Sequence, residues 1–147
     1  MLKKVLLIIF LLFFSLSLTT KADTITSHSV YTSPKTLDIY YENTFSNKAF
    51  IDLPTKLIKN NYKISYIKLN DFNIFSELGD YGELIIYVFD NKGNKTRLIP
   101  QKANYDFQGK KLNNELYIKF YTPYLEFEGN LLRIGRPLLS IGLKKQN

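Results

Sequence analysis

Hydrophobic and polar residues alternate with a period of two along much of this chain. In 115–121, Leu116, Ile118 and Phe120 fall on one side and Tyr117, Lys119 and Tyr121 on the other, as in a strand with one packed face and one wet face. Residues 84–89 (Leu-Ile-Ile-Tyr-Val-Phe) are apolar throughout, which predicts a central strand covered on both sides. Similar segments at 24–31, 36–41, 49–53, 62–69, 96–99, 125–128 and 138–143 recur at intervals of about 8–12 residues, the spacing of a sandwich or barrel. Within 62–69 the phase slips. Tyr62, Ile64 and Tyr66 share a face, then Ile67 and Leu69 take the other. Either a bulge lies there or both faces are covered.

Asp90-Asn91-Lys92-Gly93-Asn94 sets turn-forming residues between two apolar runs. It predicts a β-hairpin with a type I turn plus bulge, Gly93 taking a positive φ. Residues 71–77 read either as a short helical turn or as an irregular crossover. No stretch carries the i, i+3, i+4, i+7 apolar spacing of an amphipathic helix. Eight or nine short strands without helices predict an all-β fold, a single antiparallel β-sandwich of immunoglobulin-like kind. A small closed β-barrel is the alternative.

A fold-level resemblance points the same way. Ser29-Val30-Tyr31-Thr32, Thr36-Leu37-Asp38-Ile39-Tyr40 and Ala49-Phe50-Ile51-Asp52 are similar to the first strands of periplasmic pilus chaperones. The Arg-containing opening motif and the second domain of those chaperones are missing. The resemblance therefore implies an immunoglobulin-like sandwich and no family membership.

The start of the chain has a different character. Lys3 and Lys4 precede an apolar run from Val5 to Leu18, broken only by Ser15 and Ser17, and Thr20-Lys21-Ala22 follows with small residues at −3 and −1. These are the three parts of a secretory signal peptide cut before Asp23. The 14-residue run is shorter than the roughly 20 residues a membrane-crossing helix needs. The expected organisation is a cleaved signal at 1–22 and one domain at 23–147, with no stable membrane span after cleavage. Retention of the signal as an anchor is the alternative. Removing Lys3, Lys4 and Lys21 leaves 17 basic against 13 acidic residues, a net charge of about +4. That excess favours anionic partners of the cell envelope over nucleic acid. Cysteine is absent, which excludes disulfides, thiolate metal sites and thiol catalysis. The 8 Phe and 11 Tyr left after the signal suit half-buried pleated surfaces.

Candidate chemistry is sparse. The one histidine, His28, lies in a Thr/Ser-rich stretch with no Gly-x-Ser-x-Gly elbow in the chain, so no Ser-His-Asp triad is expected. Glu126 and Glu128 share one face of a predicted strand, but they alternate with Leu125 and Phe127 and read as its wet side. Asp71-Phe72-Asn73 and Asp90-Asn91-Lys92 begin like calcium loops and then break the ligand spacing with Phe75 and Lys92, so both read as turns. No catalytic, cofactor or metal site is expected. The basic residues Lys92, Lys95, Arg97, Lys102, Arg133 and Arg136 are the candidate patch for an anionic partner. Lys110, Lys111, Lys144 and Lys145 lie near them in the chain.

These readings define an exported, non-enzymatic bacterial envelope or surface protein, of the adhesin or pilus-subunit type. It would act by contact with a protein or an anionic glycan. A periplasmic chaperone-like helper and a secreted inhibitor or host-binding factor are the alternatives. The matching locations are periplasm, cell surface or culture fluid, and self-assembly through an edge strand stays open.

Overall fold

A computed structural model describes residues 24–75, 83–113, 115–125 and 131–145. The signal-peptide reading of 1–22, the Glu126/Glu128 pair and most of the segment 125–128 lie outside the described residues. The strands are β1 (Ile25–Ser33), β2 (Thr36–Ile39), β3 (Thr44–Phe45), β4 (Ala49–Ile51), β5 (Tyr62–Phe75), β6 (Ile85–Phe89), β7 (Lys95–Leu98), β8 (Ala103–Asn104), β9 (Tyr117–Thr122) and β10 (Leu132–Lys145). A helical turn, α1 (Thr55–Lys59), links β4 to β5. Five residues are too few to leave a helical period in the sequence.

The all-β class is as expected. All pairings are antiparallel and join into one ten-stranded sheet, ordered β7-β6-β9-β4-β1-β10-β5-β8, with β2 on β10 and β3 on β9. β1 is the corner. Ile25–Tyr31 pair with β10, while Thr32 and Ser33 pair with Ile51 and Phe50 of β4. A strand that changes partners in this way lets one sheet fold over on itself. The two halves close on a single core in which Phe120 of β9 meets Phe72 of β5, ring centroids 5.3 Å apart. Side chains bind the seam between the outermost strands: Asn104 Nδ2 of β8 donates to Thr96 Oγ1 (3.2 Å) and the Arg97 carbonyl (3.3 Å) of β7. The sheet is nearly closed, so the barrel alternative describes it more closely than two separate layers.

Bulges set the paths of the two long strands. Gly142 pairs with Tyr66 and Leu143 with Ile64, which leaves Ser65 as an extra residue. That is the phase slip seen in the sequence, and Ile64 and Ser65 are both buried there. A second slip at Asn70 turns Phe72 and Ile74 inward. Residues 71–75 thus continue β5, in place of the helical turn or crossover expected of 71–77. Asp71 and Asn73 lie on that strand rather than in a turn. On β10, Arg136 and Pro137 form a further bulge between Gly135 and Leu138. Proline lacks the N–H a ladder needs and is accommodated at such a site.

Two aromatic rings lie flat over β10 glycines. A Cβ at Gly142 would sit 2.2 Å from the Tyr66 ring, which crosses β10 so that its hydroxyl donates to Ser27 Oγ on β1 at 2.9 Å. Gly135 lies under Phe75 in the same way. Gly142→Ala must push the Tyr66 ring outward and is expected to cost about 1–3 kcal/mol, the usual range for an overpacked site. Denaturant midpoints check this. In a Tyr66→Ala background the alanine should cost little, and an undiminished cost would show that the ring is not the obstacle.

Candidate interaction face

The outer side of one half of the barrel is built from rings and ammonium groups. Alternation along β9 turns Tyr117, Lys119 and Tyr121 outward, and along β6 it does the same for Tyr87 and Phe89. The sequence predicts that β6 is covered on both faces. Here no second layer of described residues covers its outer face, and its rings are half-buried by neighbouring side chains instead. Phe45 on the two-residue β3 packs at 5.8 Å from Tyr87, 6.0 Å from Phe89 and 5.2 Å from Tyr121. Phe89 stacks on Tyr117 at 5.1 Å with ring planes 3° apart, and Phe50 of β4 continues the row at 5.7 Å from Tyr117. Phe45 remains 38% and Phe50 44% exposed.

Lysines frame these rings. The Lys95 ammonium stands 5.0 Å from the centroid of Tyr87 and 5.6 Å from that of Phe45. Lys119 lies 5.5 Å from Phe45, and Lys48 lies 4.7 Å from Tyr117. Each pair is a cation–π contact in which the ring face partly balances the charge of the ammonium. The result is a row of apolar surfaces edged with positive charge. Such a surface can pack against the C–H face of a sugar ring while its lysines meet carboxylate, phosphate or sulfate groups.

The predicted basic patch is divided by this topology. Lys95 and Arg97 share the outer face of β7, Lys92 sits in the preceding turn, and Lys102 lies in the connection to β8. Arg133 and Arg136 stand on β10, in the other half of the sheet. Arg97 pairs with Glu83, and Arg133 donates to Asp38 of β2 from Nε (2.8 Å) and from Nη2 (3.2 Å). The Asp38 hydrogen bond, with its charge, raises the Arg133 pKa above its ordinary value. Lys110 is held by an ion pair within the chain. Its Nζ donates to Asp90 Oδ2 at 2.9 Å. Sequence reasoning found Tyr117, Lys119 and Tyr121 as a wet face but missed Phe45, Phe50 and Lys48, which lie on or beside strands two or three residues long.

His28 is half-buried on β1, with Nε2 3.3 Å from Thr26 Oγ1. No group of three or more His, Cys, Asp or Glu that could hold a metal ion occurs among the described residues, and none of the described helices is long and apolar enough to cross a membrane.

Fold and face together define an all-β, nearly closed antiparallel barrel with an aromatic and lysine-edged outer surface. No known protein family, curated protein or solved structure matches the chain.

Proposed function

We propose that this is an exported, non-enzymatic protein of the bacterial envelope or surface that works by contact, and that an anionic glycan is the partner its geometry suits best. The observation that carries this reading is the outward-facing, partly exposed row Phe45–Tyr87–Phe89–Tyr117–Phe50 with Lys48, Lys95 and Lys119 over its rings. Aromatic rings supply contact area at low entropic cost, and the lysines add selectivity for negative charge. The internal pairing of Ile25–Tyr31 with β10 favours an autonomous binder over a subunit that lends its first strand to a neighbour.

The test is retention of the purified protein on immobilised polygalacturonate and on neutral dextran at low and high salt. Polygalacturonate should bind more tightly, and the preference should shrink as salt screens the lysines. The double variant Phe45→Ala/Tyr117→Ala should lose at least about tenfold in affinity, the scale of a binding hot spot. Both side chains lie outside the barrel core, so the variant should stay folded, and a cooperative melting transition checks that the loss is one of binding. Equal retention on both matrices, unchanged binding by the variant, or cleavage of the polymer would overturn the reading.

A further inference from the structure

A second site lies where β1 leaves the sheet. Tyr31, Thr32, Ser33, Lys35, Asp52 and Arg136 line a cleft of about 410 Å³, a volume within the range of small-ligand sites. We propose that this cleft binds an acidic sugar, a single ring carrying a carboxylate or a phosphate. The identity of that ligand rests on the glycan-contact reading above.

Charge is the first argument. Lys35 and Arg136 bring two cations to the cleft against one carboxylate, Asp52. Neither cation makes a side-chain hydrogen bond or ion pair with a described residue, whereas Arg97 and Arg133 both do. A guanidinium without a partner among the described residues presents a planar fork of donors that matches a carboxylate or phosphate.

Backbone geometry is the second. Arg136 sits at φ +49° in the β10 bulge, and its N–H donates to the Lys35 carbonyl at 2.6 Å. That bond ties the backbones of the two cationic residues together. Glycine suits such a position better than any residue that carries a Cβ. A residue whose backbone is kept in a sparsely populated conformation at the rim of a cleft points to a function for that residue.

The surroundings fit a sugar rather than a bare ion. Tyr31 is 56% exposed and offers a ring face. Ser33 pairs across the strands with Phe50, so the cleft continues the aromatic row. Asp52 can accept hydrogen bonds from sugar hydroxyls while Lys35 and Arg136 hold the acid group.

Amide spectra of the ¹⁵N-labelled protein, titrated with glucuronate, glucose 6-phosphate, glucose and inorganic phosphate, test the proposal. Both acidic sugars should shift the Tyr31, Ser33 and Arg136 amides saturably, with glucose and phosphate at least about tenfold weaker. Arg136→Gly and Lys35→Gln should each weaken the acidic sugars by at least about tenfold. Lys35 is exposed, so that variant reads binding even if the glycine disturbs the bulge. Glucose binding as well as glucuronate, phosphate alone matching the acidic sugars, or unchanged affinity in Lys35→Gln would each overturn it. Phe45→Ala/Tyr117→Ala separates the two readings. Acidic monosaccharides should still bind that variant at the cleft. If it loses polygalacturonate while the cleft variants keep the monosaccharides, the cleft proposal fails and the face stands.

Discussion

Phe120→Ala is expected to remove about 3–5 kcal/mol of stability, the range for deleting a large core aromatic. Phe120 is fully buried on β9, pairs with Ile86 of β6 and packs its ring on Phe72 of β5. It therefore touches both halves of the barrel at once. Its backbone is also engaged. Its N–H donates to the buried Ser46 hydroxyl at 3.0 Å, and its carbonyl accepts from the Ser46 N–H at 2.8 Å. The strand is thus fixed in place and cannot move in to fill the void, which puts the expected cost at the upper end. Against a typical total of about 5–15 kcal/mol, the variant would sit near the limit of folding. Phe120→Leu, which keeps much of the volume, should cost about 1.5 kcal/mol or less. Phe50→Ala, on the exposed face, should cost less than about 1 kcal/mol. Urea midpoints of the three variants check the order. Similar losses at Phe120 and Phe50 would show that the barrel interior is not the cooperative core.

The contrast between Phe120 and Phe50 also shows what could be read from the chain. Alternation alone places Leu116, Ile118 and Phe120 inside and Tyr117, Lys119 and Tyr121 outside, because a strand has a fixed period of two. The Asp90–Asn94 hairpin was equally legible. Gly93 adopts φ +81° and its N–H donates to the Asp90 carbonyl, as its turn residues predict. Length was not legible. β5 and β10 each run 14 residues, but every bulge resets the phase, so the pattern breaks at Ser65, Asn70 and Arg136-Pro137 and reads as shorter pieces. β3 and β8, at two residues each, are too short to alternate at all.

The interaction face was only half visible for the same reason. Phe45, Phe50, Tyr87 and Tyr117 come from four strands, and their meeting depends on β3 and β4 both pairing with β9. No local spacing encodes that. The basic residues fail in the opposite sense. They look clustered in the chain, yet sheet order sends Arg133 and Arg136 to one half and Lys95 and Arg97 to the other.

Acidification should weaken the fold mainly between about pH 4 and pH 2, with Asp90 as the principal cause. Its residue is 8% exposed. Burial alone would raise the pKa, but hydrogen bonds from Asn94 and Lys110 and the Lys110 charge outweigh it, holding the carboxyl at about 2 against an ordinary 3.8. The contacts are specific. Oδ1 accepts the backbone N–H groups of Lys92 (3.0 Å) and Asn94 (2.9 Å), while Oδ2 accepts Asn94 Nδ2 (2.7 Å) and Lys110 Nζ (2.9 Å). A folded pKa below the unfolded one gives stability that is fully present above the unfolded value and lost as pH falls through the folded value. For a difference of this size the contribution is on the order of 2 kcal/mol. Asp106 is lowered as well, by hydrogen bonds from Thr96 and Asn104, and so shares the direction. Asp90→Asn keeps the shape but turns an amide N–H₂ toward two donors, or loses the turn contacts if it flips. It is expected to cost about 2–3 kcal/mol at pH 7, the range for a group left opposite unmatched donors. Lys110→Met should cost less, about 1 kcal/mol, because that side chain is 41% exposed and its charge screened. Equilibrium unfolding of the parent and Asp90→Asn at pH 7, 4 and 2 gives the decisive comparison. The gap between them should close as pH falls to 2, since the parent's carboxyl is by then half protonated. A gap that stays constant would mean that Asp90 acts through shape alone.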